Sequence, residues 1–474
     1  MFFFFGSMCG FDWFALELLA GKLWPESLGC FPVGLTPGDS RWHRIRSRCF
    51  SASVLKIKHL STNSAKSLPE AESQEDQKSL LKVASSKIVN MTASKNVAIL
   101  GSTGSIGQSA LEVVRAVPGL NVVAISGCQN LDLLVRQAQE FQPQYLVAAD
   151  ADLGREFAFP KLPGTEVLYG AESLEKIAQL PAVDIVLAAI VGVAGLPSTY
   201  AAVEAGKTVA LANKETLVVA GHLITKLAEQ SGATILPVDS EHGAVFQALK
   251  SGKQSEVSRI VLTASGGPFR DFTAVEMESV TVEQALAHPT WDMGQKITID
   301  SATMMNKALE VIEAKWLFGA SPTQIEVVIH PQSIVHSLVE FVDGSTLAQM
   351  SPPDMMLPIQ YALTYPDRVV GPSPKLDLTQ AMNLEFFPPD IERFPALGLG
   401  FDVAKFGGST GAVLNAANEA AVQAFLNKEI SFTDIVTSCR EILDQHNFEP
   451  HPTMPQLVAA DQWARQEMSK WMVA

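Results

Sequence analysis

Three acidic residues in two short segments have the types and spacing of a metal site. Asp239 and Glu241 stand two positions apart, so their carboxylates point the same way if the chain is extended there. Glu310 follows Asn306 by four residues and Lys307 by three, which places these side chains on one face of a helix. Carboxylates beside an amide and an ammonium suit a hard divalent cation and a phosphorylated, hydroxyl-rich substrate. The pattern therefore predicts metal-assisted chemistry.

The type of metal follows from the donors. Three oxygen ligands fit Mg2+ or Mn2+ better than zinc, and no Cys/His quartet competes in the sequence. Taken singly, each carboxylate could instead be a surface charge or a helix cap. Glu310, however, stands between apolar residues such as Met305 and Leu309, and a charge in such surroundings needs a partner.

A glycine-rich loop stands near the beginning of the regular pattern. Gly101, Gly104 and Gly107 recur every three residues between a predicted strand and a predicted helix. Such a loop leaves free backbone N–H groups at a helix N-terminus, where a pyrophosphate binds. A plain tight turn is the alternative. The next predicted strand ends without an Asp or Glu for a ribose 2′-hydroxyl, which favours NADP over NAD.

Hydroxyl, amide and ammonium groups near the carboxylates could hold a phosphate. Ser265 lies in a Gly-rich turn, and Ser301 shares a segment with Asn306 and Lys307. The alternative is a capped helix start with a solvated lysine.

A loop at residues 287–294 contains His288 and Trp291 and is bounded by proline and glycine. It is interpreted as a lid over the substrate, with a surface turn as the alternative. His242, His330 and His336 have no comparable context and are interpreted as structural.

The elements that must position these residues fall into three patterns. Apolar strands alternate with helices up to residue 230, which predicts a Rossmann-like, doubly wound parallel sheet of the α/β class. Beyond residue 239 the pattern indicates an α+β catalytic domain and then an all-helical C-terminal domain. The predicted strands cover 96–100, 121–126, 145–149, 183–190, 208–212, 258–263, 325–329 and 337–341, and the predicted helices 106–117, 131–141, 196–205, 215–230, 414–427 and 432–445.

Domain boundaries follow from these patterns. The Pro-rich stretch from Pro352 to Pro395 is interpreted as a linker. The predicted divisions are a leader and spacer at 1–94, an NADPH-binding domain at 95–238, a catalytic domain at 239–372, a linker at 373–395 and a helical domain at 396–474.

Composition excludes several classes of function. The 474 residues are 47% hydrophobic and 18% charged, as in a packed globular protein. A formal charge of -15 argues against nucleic acid as the main partner. The five cysteines show neither metal-ligand nor disulfide spacing, which indicates a reducing compartment.

The first 95 residues differ in charge from the rest, with 12 Lys/Arg against 8 Asp/Glu. Residues 41–68 are rich in arginine, lysine and serine and contain no acidic residue, which is the composition of a transit peptide. Residues 2–33 are apolar but too often interrupted by charges for a membrane span. They are either the signal half of a two-part plastid leader or the product of a wrongly assigned start codon.

Together these segments resemble the 1-deoxy-D-xylulose 5-phosphate reductoisomerase family of plastids and bacteria. The likeness covers residues 96–470, and several of its motifs are long and specific. The matching stretches are 101–107, 212–216, 237–242, 264–269, 288–294, 300–310, 330–333 and 414–419.

The resemblance implies a role for each matching residue. The implied metal ligands are Asp239, Glu241 and Glu310, and the implied catalytic residues are these three with Lys214 and His288. The implied substrate-binding residues are Lys214, Ser240, Glu241, Ser265, His288, Ser301, Asn306, Lys307 and Glu310. The implied cofactor-binding residues are Thr103, Gly104, Ser105, Ile106, Asn130, Asn213, Glu215 and Gly294.

The resemblance further implies the reaction and the partners. It implies NADPH with Mg2+ or Mn2+ (or Co2+), a small phosphorylated sugar as substrate, and a homodimer in the plastid after leader removal, without membrane or nucleic acid. The carbon skeleton would be cleaved and rejoined, then reduced to 2-C-methyl-D-erythritol 4-phosphate. Cys128 and Gln129 depart from the family's usual Gly followed by Lys or Ser before Asn130.

Two other functions are alternatives for this sequence. A semialdehyde dehydrogenase has a similar glycine-rich start but needs a cysteine nucleophile in an electropositive pocket, and neither Cys128 nor Cys439 has that context. A catalytically inactive NADPH-binding sensor would keep the fold alone, and the retained carboxylates and Lys307 argue against it.

Overall fold

The computed structural model describes residues 91–473. The predicted leader therefore lies outside the described residues. Within residues 91–473, no helix combines the length and apolar character needed to cross a membrane.

A seven-stranded sheet of parallel strands forms the first part of the described chain. Its strand order is β4-β3-β2-β1-β5-β6-β7, and every neighbouring pair is parallel. The strands are β1 (Lys95–Leu100), β2 (Leu120–Gly127), β3 (Tyr145–Ala148), β4 (Glu166–Tyr169), β5 (Ile185–Ala188), β6 (Thr208–Leu211) and β7 (Thr234–Pro237).

Helices cover both faces of this sheet. Alternate residues of β1 point to opposite sides, so that Val97 and Ile99 enter one apolar core and Ala98 and Leu100 the other. The helices are α1 (Ser105–Ala116), α2 (Leu131–Phe141), α3 (Ala151–Glu156), α4 (Ala171–Gln179), α5 (Leu196–Glu204) and α6 (Glu215–Ser231). The predicted Rossmann-like, doubly wound α/β architecture is confirmed.

Four elements of this region were missed by the sequence patterns, including the helix α4 after β4. Strands β4 and β7 each have four residues, and the six-residue helix α3 precedes β4. The apolar run predicted as one strand over 183–190 contributes only β5. Strands β4 and β7 are the two edge strands and are partly exposed, so they lack the continuous apolar run of the central strands.

A four-stranded mixed sheet follows, with strand order β11-β10-β8-β9. Strands β8 and β9 are parallel, whereas β10 pairs antiparallel with β8 and β11. The strands are β8 (Val257–Ala264), β9 (Ile325–Ile329), β10 (Val335–Phe341) and β11 (Thr346–Met350), and the helices are α7 (Ser240–Ala248), α8 (Ala274–Met277), α9 (Val282–Ala285), α10 (Gln295–Ala302) and α11 (Met305–Phe318). This is the predicted α+β region, with β11 as an additional edge strand.

The Pro-rich stretch is not uniformly a linker. It contains α12 (Met356–Thr364), whose buried Ile359 and Leu363 join the core on one face of the seven-stranded sheet. The chain thus returns to the first sheet before it continues to the C-terminal helices.

The C-terminal region contains helices only, as predicted. They are α13 (Ala396–Phe406), α14 (Thr410–Leu426), α15 (Asp434–Gln445) and α16 (Met454–Trp471). Leu399 of α13 and Leu414 of α14 share one apolar core with Leu309 of α11. Because α11 carries the predicted ligand Glu310, this shared core fixes the position of that carboxylate.

Candidate active site

A cavity of about 560 Å³ lies where the carboxyl ends of the seven-stranded sheet face the mixed sheet. Its wall includes the beginnings of α1, α6 and α7, the end of β8, and helices α10 and α11. In open α/β sheets the carboxyl ends of the strands are the usual place for a ligand. The three predicted metal ligands, Asp239, Glu241 and Glu310, line this cavity. Twelve other residues proposed from the sequence also line it, namely Ser105, Ile106, Asn213, Lys214, Glu215, Ser240, Ser265, His288, Gly294, Ser301, Asn306 and Lys307.

The three predicted metal ligands converge, and they form the carboxylate cluster of Asp239, Glu241 and Glu310. One carboxylate oxygen from each lies within 4.8 Å of the others. The predicted extended conformation is wrong for Glu241, which lies in the first turn of α7. Asp239 is the N-cap of that helix, and its Oδ1 accepts hydrogen bonds from the N–H groups of Glu241 and His242, each at 3.0 Å. The residue is thus both a helix cap and a member of the cluster.

Two buried lysines lie among these carboxylates. Lys214 Nζ is 3.3 Å from Asp239 Oδ2 and 3.4 Å from Glu310 Oε1. Lys307 Nζ is 2.7 Å from Glu241 Oε1 and also pairs with Glu310. As predicted, Glu310 shares a helical face with Asn306 and Lys307 in α11.

The charges of this cluster are not balanced. Burial disfavours the ammonium of Lys214, but Asp239 and Glu310 outweigh it and raise the lysine pKa. Burial, reinforced by Glu241, raises the pKa of Glu310 to about 7. Burial also raises the pKa of Glu313, one turn further along α11. With Glu313 nearby, the carboxyl groups outnumber the two lysines, and the three oxygen donors of the cluster fit a hard divalent cation.

His242 lies directly behind the carboxylate cluster, a role that the sequence did not reveal. Its Nε2 donates to the backbone oxygen of Glu310 at 3.0 Å. Its Nδ1 is 3.6 Å from Asp239 Oδ1 and 3.5 Å from Glu313 Oε2. The imidazole is fully buried and contacts two members of the cluster from the side away from the cavity, which fixes their orientation.

Polar groups that could hold a phosphate line another part of the cavity. Ser265 follows β8, and Ser301 lies near the end of α10. Their segments are in close contact, because a Cβ on Gly267 would come within 2.8 Å of the Ser301 carbonyl oxygen. Gly267 also has a φ of +68°, so only glycine fits there.

The hydrogen bonds of His288 define its tautomer. Nδ1 accepts from the backbone N–H groups of Thr290 at 3.1 Å and Trp291 at 2.9 Å. The proton of the neutral ring is therefore on Nε2, which donates to Ser265 Oγ at 3.1 Å. Burial lowers the pKa of His288, which favours this neutral form.

The segment 288–294 borders the cavity between α9 and α10. The Trp291 ring packs edge-on against His336, with centroids 6.4 Å apart. His336 also lines the cavity, although the sequence gave it no functional context. The predicted lid thus has an aromatic contact on the opposite wall.

The glycine loop adopts the close-packed form that its spacing predicts. Gly101 has a φ of +89°, and a Cβ on Gly107 would come within 2.3 Å of the Gly101 carbonyl oxygen. The N-cap of α1 is Gly104, so no side chain covers its first N–H groups. Ser105 and Ile106, at the beginning of α1, line the cavity. This geometry fits a dinucleotide phosphate.

The other predicted cofactor residues differ in position. Asn213 is buried, and its amide donates to the Gly192 carbonyl at 2.8 Å while its oxygen accepts from the Thr216 N–H at 2.9 Å. It therefore shapes the loop before α6. Thr103, Gly104 and Asn130 lie at the same end of the sheet but do not line the cavity.

Neither cysteine among residues 91–473 lies where a semialdehyde dehydrogenase would need its nucleophile. Cys439 is buried in α15, and burial raises the pKa of its thiol, so it is a poor nucleophile. Cys128 is exposed just after β2 and does not line the cavity.

The glycine loop on a parallel sheet and the carboxylate cluster beside it define a nucleotide-dependent oxidoreductase with a divalent-metal site. Models of the 1-deoxy-D-xylulose 5-phosphate reductoisomerase family match residues 97–221, with C-terminal domain models of that enzyme at residues 235–318 and 350–467. The chain belongs to the 1-deoxy-D-xylulose 5-phosphate reductoisomerase family, whose members are NADPH-dependent oxidoreductases.

Individual relatives agree with this assignment. The reductoisomerase of Pelotomaculum thermopropionicum is 52% identical over 377 residues, covering 78% of this chain and 97% of the relative. That of Rhodopirellula baltica is 49% identical over 423 residues, covering 78% and 93%.

Solved structures of the same enzyme have the same fold. A reductoisomerase in complex with NADPH, fosmidomycin and magnesium has a TM-score of 0.75 at 42% identity, covering 80% of this chain and 98% of the other. The Zymomonas mobilis enzyme in complex with NADPH has a TM-score of 0.74 at 43% identity, covering 80% and 99%.

Proposed function

We propose that this chain catalyses the NADPH- and divalent-metal-dependent isomerisation and reduction of 1-deoxy-D-xylulose 5-phosphate to 2-C-methyl-D-erythritol 4-phosphate. The observation that carries the proposal is the carboxylate cluster in the same cavity as the beginning of α1. A metal site and a nucleotide site that share one cavity suit a reaction that combines rearrangement with reduction. Membership of the reductoisomerase family identifies the substrate.

Asp239, Glu241 and Glu310 would hold the metal. When bound, a divalent cation supplies Lewis-acid polarisation of the ketone and neighbouring hydroxyl oxygens. Mg2+ is the ion found with related structures, and Mn2+ or Co2+ would fit the same oxygen donors. Lys214, held by Asn306 Oδ1 at 2.7 Å, adds a fixed positive charge near the oxygen on which negative charge develops.

The substrate phosphate would bind Ser265, Ser301, Asn306 and Lys307. Their hydroxyl, amide and ammonium groups line one part of the cavity, and a charged donor strengthens each hydrogen bond to a phosphate. These contacts orient the reacting carbons relative to the carboxylate cluster, to which Asn306 and Lys307 also donate hydrogen bonds.

His288 and Trp291 would close the cavity over the bound substrate. His288 is already fixed to Ser265, and Trp291 reaches His336. Exclusion of water protects an intermediate with a broken carbon–carbon bond.

The direct test is a metal add-back experiment. After removal of divalent ions with a chelator, the protein should form no 2-C-methyl-D-erythritol 4-phosphate, and Mg2+, Mn2+ or Co2+ should restore its formation. Product formation that persists at full rate in the chelator would refute the assignment of the carboxylate cluster.

A homodimer is also proposed. Strand β11 lies at the edge of the mixed sheet, and the arm that follows α12 exposes Val370, Leu378, Phe387 and Ile391. Phe387 pairs with Ile329 of β9, at the opposite edge of this sheet. Strand edges and exposed apolar surfaces are both common sites of self-association. Sedimentation analysis should give twice the chain mass, and Leu347→Lys on β11 should shift it towards the monomer. Monomeric wild-type protein at high concentration would contradict the proposal.

Plastid targeting by residues 1–94 is proposed from their basic, serine-rich composition. A fluorescent protein fused after residue 94 should enter the plastid in a plant or algal cell. Cytosolic fluorescence would contradict this localisation.

A further inference from the structure

A second group of buried charges lies beside the cavity and takes no part in the mechanism above. We name it the Lys296 cluster, and it consists of Glu215, Lys296, Asp300 and Asn418. Lys296 Nζ is 3.0 Å from Glu215 Oε1 and 2.9 Å from Asp300 Oδ2. Asn418 Nδ2 donates to Asp300 Oδ1 at 2.8 Å.

The burial of this cluster is nearly complete. Glu215 is 5% exposed, Asp300 1% and Asn418 0%, while the Lys296 side chain is 20% exposed. Buried charges are retained only when their partners compensate for lost hydration. Each charge here has a partner within 3.0 Å. Removal of one member therefore leaves the remaining charges buried without a partner.

The members of the Lys296 cluster come from three regions of the fold. Glu215 is the first residue of α6, directly after β6 of the seven-stranded sheet. Lys296 and Asp300 lie one turn apart in α10, the helix that follows the segment 288–294. Asn418 belongs to α14 of the C-terminal region. The cluster therefore links the nucleotide side of the cavity, the predicted lid and the C-terminal helices.

Two neighbours of the cluster give this link a consequence at the site. Glu215 is adjacent to Lys214, which pairs with Asp239 and Glu310 of the carboxylate cluster. Asp300 is adjacent to Ser301, which lines the cavity where a phosphate would bind. A displacement of α10 relative to α6 would thus shift the substrate side of the cavity relative to the cofactor side.

We infer that Lys296 is a positioning residue: by pairing with both Glu215 and Asp300, it fixes α10 and the segment 288–294 relative to the cofactor side of the cavity. The inference rests on the proposed function for the identity of the cofactor. Asn418 has the same role indirectly, because it orients Asp300 and does not itself line the cavity.

The test uses two variants of the full chain and one control. Lys296→Met removes the central charge, and Asn418→Ala removes the hydrogen bond to Asp300 from a residue outside the cavity wall. The control is Lys428→Met, which breaks the exposed ion pair with Glu283. For each protein, the Kd for NADPH and the hydrogen exchange of residues 288–302 in the absence of cofactor are measured. Thermal unfolding establishes that each variant is folded.

We expect Lys296→Met to raise the Kd for NADPH by about tenfold or more, because an unpaired charge remains buried. Asn418→Ala should raise it by roughly threefold to tenfold, as for the loss of one buried hydrogen bond. Both should accelerate exchange in residues 288–302, and Lys428→Met should change neither quantity. Lys296→Arg, which keeps the charge, should recover most of the affinity.

An unchanged Kd for NADPH in folded Asn418→Ala overturns the positioning role, since any loss in Lys296→Met would then reflect direct contact with the cofactor. Unchanged exchange in both variants also overturns it. If the wild-type chain bound no NADPH, the proposed function would fail. The exchange measurement, made without cofactor, would still decide whether Lys296 fixes the segment.

Discussion

Two consecutive residues, Lys214 and Glu215, belong to two buried charge clusters with different properties. In the carboxylate cluster Lys214 lies 3.3 Å from Asp239 and 3.4 Å from Glu310, and Lys307 lies 2.7 Å from Glu241. The pKa of Glu310 is nevertheless raised to about 7. In the Lys296 cluster the contacts are 2.8 to 3.0 Å, and Lys296 lowers the pKa of Glu215 despite the opposing effect of burial. Both clusters contain more carboxyl groups than lysines. Beside the first, the pKa values of Glu310 and Glu313 are raised, whereas in the second the pKa of Glu215 is lowered, and in this sense the second cluster is compensated.

This difference separates a ligand site from a structural support. A buried cluster with raised carboxyl pKa values is poorly stable until a cation arrives. A compensated cluster needs nothing further and holds elements in place. Substitutions that remove one charge from each cluster should therefore have opposite effects on stability.

The largest effect is expected for Glu310→Gln. It removes a proposed ligand, so kcat/KM with Mg2+ should fall by more than about 100-fold, while NADPH binding is retained. The metal-free variant should unfold at the same temperature as the wild type or higher, because one uncompensated charge is gone. Calorimetry that showed unchanged Mg2+ affinity would remove Glu310 from the metal site.

Trp291→Ala should affect the substrate more than the cofactor. Loss of the contact with His336 leaves the segment 288–294 without its aromatic anchor, so KM for the substrate should rise roughly tenfold. The Kd for NADPH should change far less. Equal losses in both constants would contradict the lid interpretation.

Lys296→Met should destabilise the protein by about 3 kcal/mol in chemical denaturation near neutral pH, as for a buried pair that loses one partner. Glu215 has a lowered pKa in the fold, so its contribution is present above its ordinary value of 4.5 and is lost as pH falls through the lowered pKa. Lys296 has a raised pKa, so its contribution is present below 10.5 and is lost as pH rises through the raised pKa.

The stability difference between Lys296→Met and the wild type should consequently be constant from about pH 5 to pH 9 and shrink in stronger acid. A difference that grew as the pH was lowered would contradict the compensated character of the Lys296 cluster.

The smallest effect is expected for Lys428→Met. Both side chains of the pair with Glu283 are about two-thirds exposed, at 67% and 69%, and exposed ion pairs are weak and screened by salt. The thermal midpoint and the activity should equal those of the wild type within error. A marked loss would show that exposure does not separate the two kinds of charge pair in this chain.

The sequence was sufficient for the architecture and for most of the carboxylate cluster. Alternating apolar strands and helices predicted the parallel sheet, because burial on both faces leaves a continuous apolar run in each strand. Helical spacing placed Glu310 beside Lys307. The extended conformation predicted for Glu241 was wrong because Asp239 ends the extended segment and caps α7.

The remaining features depend on contacts between distant segments. Asn418 is 118 residues from Asp300, and nothing in either segment predicts their hydrogen bond. Lys296 and Asp300 do have the spacing of a helical ion pair, so that part was accessible from the sequence. Helix α12 was missed because its packing against the first sheet is set by tertiary contacts rather than by its own pattern.

The most direct test of the account measures NADPH oxidation and product together, with 1-deoxy-D-xylulose 5-phosphate and with or without Mg2+. The account predicts that NADPH is consumed only when the metal is present and that one 2-C-methyl-D-erythritol 4-phosphate forms per NADPH. A folded protein that binds NADPH and Mg2+ but yields no such product would contradict it and would indicate a different carbonyl substrate or an inactive cofactor-binding protein.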